Sequence, residues 1–314
     1  MSSPSIEVQD LTKRFSLGRV ALEGASFRFE GPGAVGYLGP NGAGKTTTLK
    51  LLTGLLRPTR GTARINDIGV TQSRRQALAD VGAIIESPEP YPSQTVAEAI
   101  EMVGELRGGR RGHLAEDLGE LNTQLDLPPL DQRCGRLSKG QRQRVSIAAS
   151  LIRDPRVIIL DEPTNGLDPK ERILIRNLLI DLKKDHLILM SSHLMQEVTE
   201  ICDQVIFLNQ GRVVLKDTVE NVSTRFQSRA VDVEFAEPVH IDRIKAIGPL
   251  VQDVSVVGVR RYRITFDGST TARAEILRGL VGLGPVIAYQ SASLVLEDAY
   301  LAVMQDDGTN AIGA

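Results

Sequence analysis

The chain has 314 residues, 41% hydrophobic and 24% charged, the composition of a globular protein long enough for more than one core. Its 37 Lys and Arg against 39 Asp and Glu leave a formal charge of −2, which excludes an overall electrostatic draw to nucleic acid or anionic lipid. Cys134 and Cys202 lie far apart without neighbouring histidines, which argues against a zinc site and fits a reducing compartment. No run reaches the roughly 18 apolar residues of a membrane span, and the polar N-terminus lacks a signal-peptide core, so any membrane role must come through a partner.

Residues 1 to about 30 carry short alternating runs at 6–11 and 26–29, broken by Gly18, Gly24 and Gly31. They predict an antiparallel edge added to a nucleotide core. Ala34-Val35-Gly36-Tyr37-Leu38 is an apolar run that ends directly at Gly39-Pro40-Asn41-Gly42-Ala43-Gly44-Lys45-Thr46. A buried strand thus feeds a glycine turn and then a helix over about 45–52, the context in which G-x-x-x-x-G-K-[ST] binds a triphosphate. Glycines let the backbone curl so that its N–H groups face phosphate oxygens. The predicted nucleotide contacts of this loop are Asn41, Gly42, Ala43, Gly44, Lys45, Thr46 and Thr47. Lys45 supplies the point charge for the β- and γ-phosphates, Thr46 offers a hydroxyl to Mg²⁺, and the helix N-terminus favours the anion.

From 94 to 127 the pattern is helical, with Val96, Ile100, Val103 and Leu106 at spacings of three and four. The very polar stretch 107–113 interrupts it and reads as an exposed loop. Leu137-Ser138-Lys139-Gly140-Gln141 follows, which on its own is a helix N-cap, and a helix is predicted over 141–152. The apolar strand 157–160 then delivers Asp161 and Glu162 at its tip. Asp161 is placed to hold Mg²⁺ opposite Thr46. Glu162 is placed to orient and deprotonate the attacking water, a role worth about 10²- to 10⁴-fold in rate. A helix over 170–184, a strand over 186–191 and a helix from 194 complete an alternation that implies a parallel sheet covered on both faces.

Past about 222–229 the motifs cease. Strands are expected at 230–235, 251–259, 261–266 and 286–291, with helices near 241–247, 272–281 and 296–304. This reads as a small α+β appendage with a split β-α-β arrangement. The division is drawn at residues 1–222 and 223–314, with a helical subdomain at about 87–152.

The order and spacing of these motifs resemble the ATP-binding subunit of ABC transporters over about residues 5–220. The resemblance implies a P-loop α/β cassette, a mixed sheet with an antiparallel edge and a helical subdomain. It implies ATP and Mg²⁺ as cofactors and a head-to-tail homodimer with two ATP molecules in its interface. Residues 137–141 are similar to the family signature, with Lys139 where glycine is commonest, so Ser138 and Gly140 would reach ATP held by the opposite copy. Gly166-Leu167-Asp168-Pro169 resembles the D-loop at the dimer seam, and Ser191-Ser192-His193 the switch whose histidine, His193, contacts the γ-phosphate. Phe15 matches the aromatic stacked on adenine, with Val20 packing beside it. Glu86 stands where the family usually has the glutamine that touches Mg²⁺, and its carboxylate is expected to ligate the ion with Thr46 and Asp161.

That substitution resembles loops in exporters that give immunity to peptide antibiotics. The resemblance therefore implies efflux of a drug, antibiotic peptide, lipid or polysaccharide, powered at the cytoplasmic face of the membrane through a separate permease. The permease would dock near Tyr91 and Pro92. The alternative is a soluble ABC ATPase acting on a ribosome or on DNA. The former usually carries two cassettes per chain and the latter a long coiled coil, which the glycine-broken stretch 107–112 forbids. A non-enzymatic scaffold is disfavoured by intact Lys45, Asp161, Glu162 and His193.

Overall fold

A computed structural model describes residues 3–86, 89–109, 114–225, 229–291 and 296. It divides into two units, Met1–Thr218 and Val219–Ala314.

In the first unit β1 (Ser5–Arg14) and β2 (Val20–Glu30) pair antiparallel, and β3 (Gly33–Leu38) leads through the glycine loop into α1 (Lys45–Leu52). Next come β4 (Arg60–Ile65), the two-residue β5 (Ile68–Gly69), the single turn α2 (Arg74–Ala77) and β6 (Val81–Ile84). The helical section holds α3 (Val96–Leu106), α4 (Leu114–Leu125) and α5 (Lys139–Leu151). The alternation then resumes with β7 (Val157–Asp161), α6 (Pro169–Leu182), β8 (Leu187–Ser192), α7 (Met195–Ile201), β9 (Gln204–Asn209) and β10 (Arg212–Thr218).

Two sheets result. An antiparallel sheet has the order β2-β1-β4-β5, and a six-stranded one the order β10-β9-β3-β8-β7-β6, parallel except where β10 turns back on β9. Their facing sides and α1 share one core, with Ile6, Phe27, Tyr37, Leu49, Ile159 and Leu189 buried together. The Tyr37 hydroxyl lies 3.2 Å from Thr48 Oγ1 inside it, which satisfies both groups where water is excluded. Strand β7 is buried at every position, as expected of a parallel strand covered on both faces.

Local signals set the helix starts. Thr95 and Glu98 form a reciprocal cap on α3, Ser138 and Gln141 do the same on α5, and Asp168 caps α6 with Pro169 in its first turn. Of the loop expected at 107–113, residues 110–113 lie outside the described residues. Arg107 is not exposed: its Nη1 donates to the carbonyls of Ser150 and Ile152, both at 2.9 Å, tying the end of α3 to the end of α5. Burial, then the like charge of Arg153, lowers its pKa. The polar residue read as loop is therefore a cap on two buried helix-end carbonyls.

The second unit begins with α8 (Val219–Arg225) and continues β11 (Ala230–Phe235), α9 (Ile241–Lys245), β12 (Asp253–Val256), β13 (Arg261–Thr265), α10 (Thr270–Val281) and β14 (Val286–Ser291). Its antiparallel sheet has the order β12-β13-β11-β14, a β-α-β-β-α-β path in which the two strands joined through each helix are separated by a third strand. Val231, Val233, Phe235, Ile264, Ile276 and Leu280 form its core. Asp232, buried on the other sheet face, accepts from Arg263 Nε at 2.9 Å and Arg261 Nη2 at 3.3 Å. The strand expected at 251–259 is shorter, because Val257 N bonds back to the Arg261 carbonyl and turns the chain. The helix expected at 296–304 lies outside the described residues apart from Leu296, which is buried.

Candidate active site

Three neighbouring strand tips build the site. Register across β3, β8 and β7 sets Tyr37, Ser191 and Asp161 side by side. The glycine loop, the turn after β8 and the carboxylates after β7 therefore leave the same edge of the sheet, where parallel sheets hold ligands.

The loop is glycine-dependent for two reasons. Gly42 and Gly44 hold φ of 83° and 111°, which other residues rarely adopt. A methyl group on Gly39 would overlap the Leu208 carbonyl, and one on Gly44 the Ala21 carbonyl. Gly44 caps α1 without any side-chain partner, so the first N–H groups of that helix stay available to an anion.

Lys45 is 6% exposed, with Nζ donating to the Gly39 carbonyl at 2.7 Å and lying 3.6 Å from Glu162 Oε1. Thr46 Oγ1 donates to Asp161 Oδ2 at 2.8 Å, and Ser191 Oγ donates to Asp161 Oδ1 at 2.6 Å. Glu162 takes a left-handed φ of 49°, which breaks the strand pleat. Its N–H donates to Ser191 Oγ at 3.0 Å, and its Oε2 lies 2.8 Å from His193 Nδ1. The five groups expected to do the chemistry thus form one connected cluster, with Ser191 as a hub that residue type alone did not single out.

A cavity of about 340 Å³ runs from Phe15 and Arg19, past Asn41, Gly42 and the residues from Gly44 to Thr47, to Glu162. Phe15 is 40% exposed, with the Lys13 ammonium 5.2 Å from its ring centre. Val20 is half-buried and does not line the cavity; its neighbour Ala21 does. Ala43, expected among the nucleotide contacts, is buried in the core and does not line the cavity; its N–H donates to the Pro40 carbonyl and its carbonyl accepts from Gly211 N. Arg19 was not foreseen, since a single arginine in a strand-connecting turn carries no motif. A larger groove of about 790 Å³ between α4 and α6 contains none of the motif residues, so the chemistry belongs to the smaller one.

Ser138, Asp168 and Gly140 also stand apart from the cavity. Ser138 accepts from Gln141 N at 3.1 Å as the cap of α5, and Asp168 accepts from Glu171 N at 2.9 Å as the cap of α6. Gly140 is buried against the Glu171 carboxylate, which a methyl group there would overlap, and the Lys139 ammonium rests in the same way on Gly166. Glu86 is not brought to the metal-binding pair either: its Oε1 lies 2.5 Å from Lys50 Nζ on α1. The ammonium explains the difference, because it neutralises a carboxylate that glutamine would not offer.

Among the described residues no group of three or more His, Cys, Asp or Glu gathers as a metal site. The Thr46 hydroxyl and Asp161 carboxylate are two adjoining hard oxygens, which fits Mg²⁺, an ion that takes few protein ligands and keeps waters and phosphates for the rest.

The family profile described as ABC transporter matches residues 22–165. The ABC transporter ATP-binding protein NatA of Bacillus subtilis (strain 168) is 32% identical over 223 residues, 69% of this chain and 91% of that protein. A fluoroquinolones export ATP-binding protein of Mycobacterium tuberculosis (strain CDC 1551 / Oshkosh) is 34% identical over 232 residues, 73% of this chain and 76% of that one. The solved structure of cbiO1 from Clostridium perfringens, part of the ABC transporter complex cbiONQ, superposes with a TM-score of 0.62 at 27% identity, covering 70% of this chain and 90% of that one.

Proposed function

Because this chain belongs to the ABC transporter family of ATP-binding proteins, we propose that it hydrolyses ATP as a head-to-tail homodimer and drives a separate membrane permease that exports its cargo. The observation that carries this is Glu162 held between Lys45 and His193, beside an Asp161 already bonded to Thr46.

The adenine lies toward Phe15 and the phosphates along the loop N–H groups. Lys45, whose Nζ lies between the Gly39 carbonyl and Glu162, offers its ammonium to the β- and γ-phosphates. Glu162 then orients a water on the γ-phosphorus and takes its proton as the new P–O bond forms and the bond to the β-phosphate oxygen breaks, leaving ADP and phosphate. His193, bonded to Glu162, keeps that carboxylate aimed. Thr46 and Asp161 would hold Mg²⁺, which would supply charge neutralisation at the phosphates.

Ser138 and Gly140 lie off the cavity, so they serve the nucleotide of a second copy, offering the start of α5 to its γ-phosphate. An apolar groove of about 280 Å³ lined by Tyr91, Met102, Val103, Val145 and Ala149 fits a short helix of the permease. Among the described residues no helix is long and apolar enough to cross a membrane, which agrees with a peripheral place at its cytoplasmic face. Export is favoured by relatives named for export of fluoroquinolones and Nod factor, and the cargo is a drug, antibiotic peptide, lipid or polysaccharide.

Two variants test the reading. Lys45→Ala is expected to abolish ATP turnover, and Glu162→Gln to lower it by about 10²- to 10⁴-fold while shifting to dimer size with ATP on a sizing column. A Glu162→Gln protein that stays monomeric with saturating ATP would sink the homodimer.

A further inference from the structure

Beneath the cluster lies a carboxylate that the reaction above does not use. Glu197 sits in the first turn of α7 and is only 9% exposed. Its Oε2 accepts from Thr164 Oγ1 at 2.7 Å, and Ser192 Oγ lies 3.4 Å from the same oxygen. Thr164 and Ser192 are themselves 3% exposed. Oε1 is buried with no hydrogen-bond partner among the described residues.

Burying a carboxylate with one oxygen unsatisfied is expensive, and an apolar residue would pack the same space more cheaply. The start of a helix relieves part of the cost. It does not explain why the side chain reaches two separate segments. Those segments are the two that carry the chemistry: Thr164 follows Glu162 by two residues, and Ser192, the last residue of β8, precedes His193. With the 2.8 Å contact between Glu162 and His193, the path closes into a ring running Glu162, Pro163, Thr164, Glu197, Ser192, His193 and back to Glu162. Gln143 of α5 joins it from outside, its Nε2 donating to the Pro163 carbonyl at 2.9 Å. The ring therefore also touches the signature helix.

We propose that Glu197 is a positioning residue for hydrolysis: by holding Thr164 and Ser192 on one buried oxygen, it fixes the separation of Glu162 and His193 at which a water can be aimed. It touches no nucleotide. Its work is geometric, and a displacement of the order of 1 Å at Glu162 is enough to cost about a hundredfold in rate. Thr164 leads toward the D-loop, so the same link lets movement at the dimer seam reach the Glu162–His193 pair. This rests on the assignment of Glu162 as the base that activates water.

The test uses the full chain and compares Glu197→Ala, Glu197→Gln, Thr164→Val and the double variant Glu197→Ala/Thr164→Val. Steady-state ATP hydrolysis, binding of a fluorescent ATP analogue and thermal unfolding are measured on each. Thr164→Val keeps the shape and removes only the hydroxyl, so it reads the link even where Glu197→Ala is too unstable to assay. The expected result is a kcat lowered about ten- to a hundredfold in Glu197→Ala and Thr164→Val, with KM for ATP and analogue affinity within about twofold of the parent. The double variant is no slower than the slower single one, and Glu197→Gln, which still accepts from Thr164, regains most of the rate. A raised KM at unchanged kcat, single effects that multiply, or a Thr164→Val protein of parental rate overturns the proposal. Should Glu162→Gln retain parental turnover, the base assignment itself fails; should it be inactive while Thr164→Val is not, only the role of Glu197 fails.

Discussion

Gly44 shows how much of the site is settled by the absence of a side chain. Its φ of 111° and its packing on the Ala21 carbonyl leave no room for a methyl group. Gly44→Ala is expected to cost about 1–3 kcal/mol of stability through backbone strain and to abolish nucleotide binding. Thermal unfolding and analogue binding check both, and an alanine variant that binds normally would contradict the wedged loop. Ser191 is the opposite case, a residue whose part in the site no spacing reveals. Serine after an apolar run is common, and only the register of β8 against β7 sets its hydroxyl between the Asp161 carboxylate and the Glu162 amide. Ser191→Ala should slow turnover about tenfold with a stability loss of about 1–3 kcal/mol. Lys45, Thr46, Asp161 and Glu162 were legible because each belongs to a motif whose geometry follows from its own neighbours. Glu86 was less so, since the ammonium that binds it is 36 residues away.

Among the elements, β7 and β8 carry the site because they lie inside the six-stranded sheet and are buried along their whole length. Ile159 sits in β7 with no exposed surface and faces the core shared with the antiparallel sheet. Ile159→Ala should lower stability by about 2–5 kcal/mol, measured by chemical denaturation, and should loosen the Thr46–Asp161 contact from behind. The apolar runs before the glycine loop and before Asp161 were readable because buried parallel strands leave a continuous signature. Strands β9 and β10 were not foreseen, although Val205 to Leu208 is such a run. It follows α7 without a motif at its tip, so no functional pattern marks it as a strand. Arg107 was misread for a related reason: a polar residue closing buried carbonyls looks, in one dimension, like a polar residue in water.

At the scale of the whole molecule, each unit has a hydrophobic core of its own among the described residues. Two unfolding transitions are therefore expected by calorimetry, and ATP with Mg²⁺ should raise only that of the first unit. At a ligand concentration a hundred times the dissociation constant the gain is about 2.7 kcal/mol. A single transition that shifts as a whole would show that the units unfold as one. Division of the chain after Thr218 rather than after residue 222 puts α8, with Val219 and Val222 buried, in the second unit. Composition changes only where the motifs stop, so the sequence could place that boundary only approximately.

By itself the sequence determined the glycine loop, the paired carboxylates and the alternating α/β core, because these depend on short-range rules: a glycine's conformational freedom, the strand before it and the helix after. Tertiary structure alone decided which distant groups meet. The bond from Thr46 to Asp161 spans 115 residues and that from Thr164 to Glu197 spans 33, and such distances close only when strand order and register bring separate tips to one edge. Charges paired across space, as in Glu86 with Lys50, belong to that second class, since a side chain's partner is chosen by the fold and not by its position in the chain.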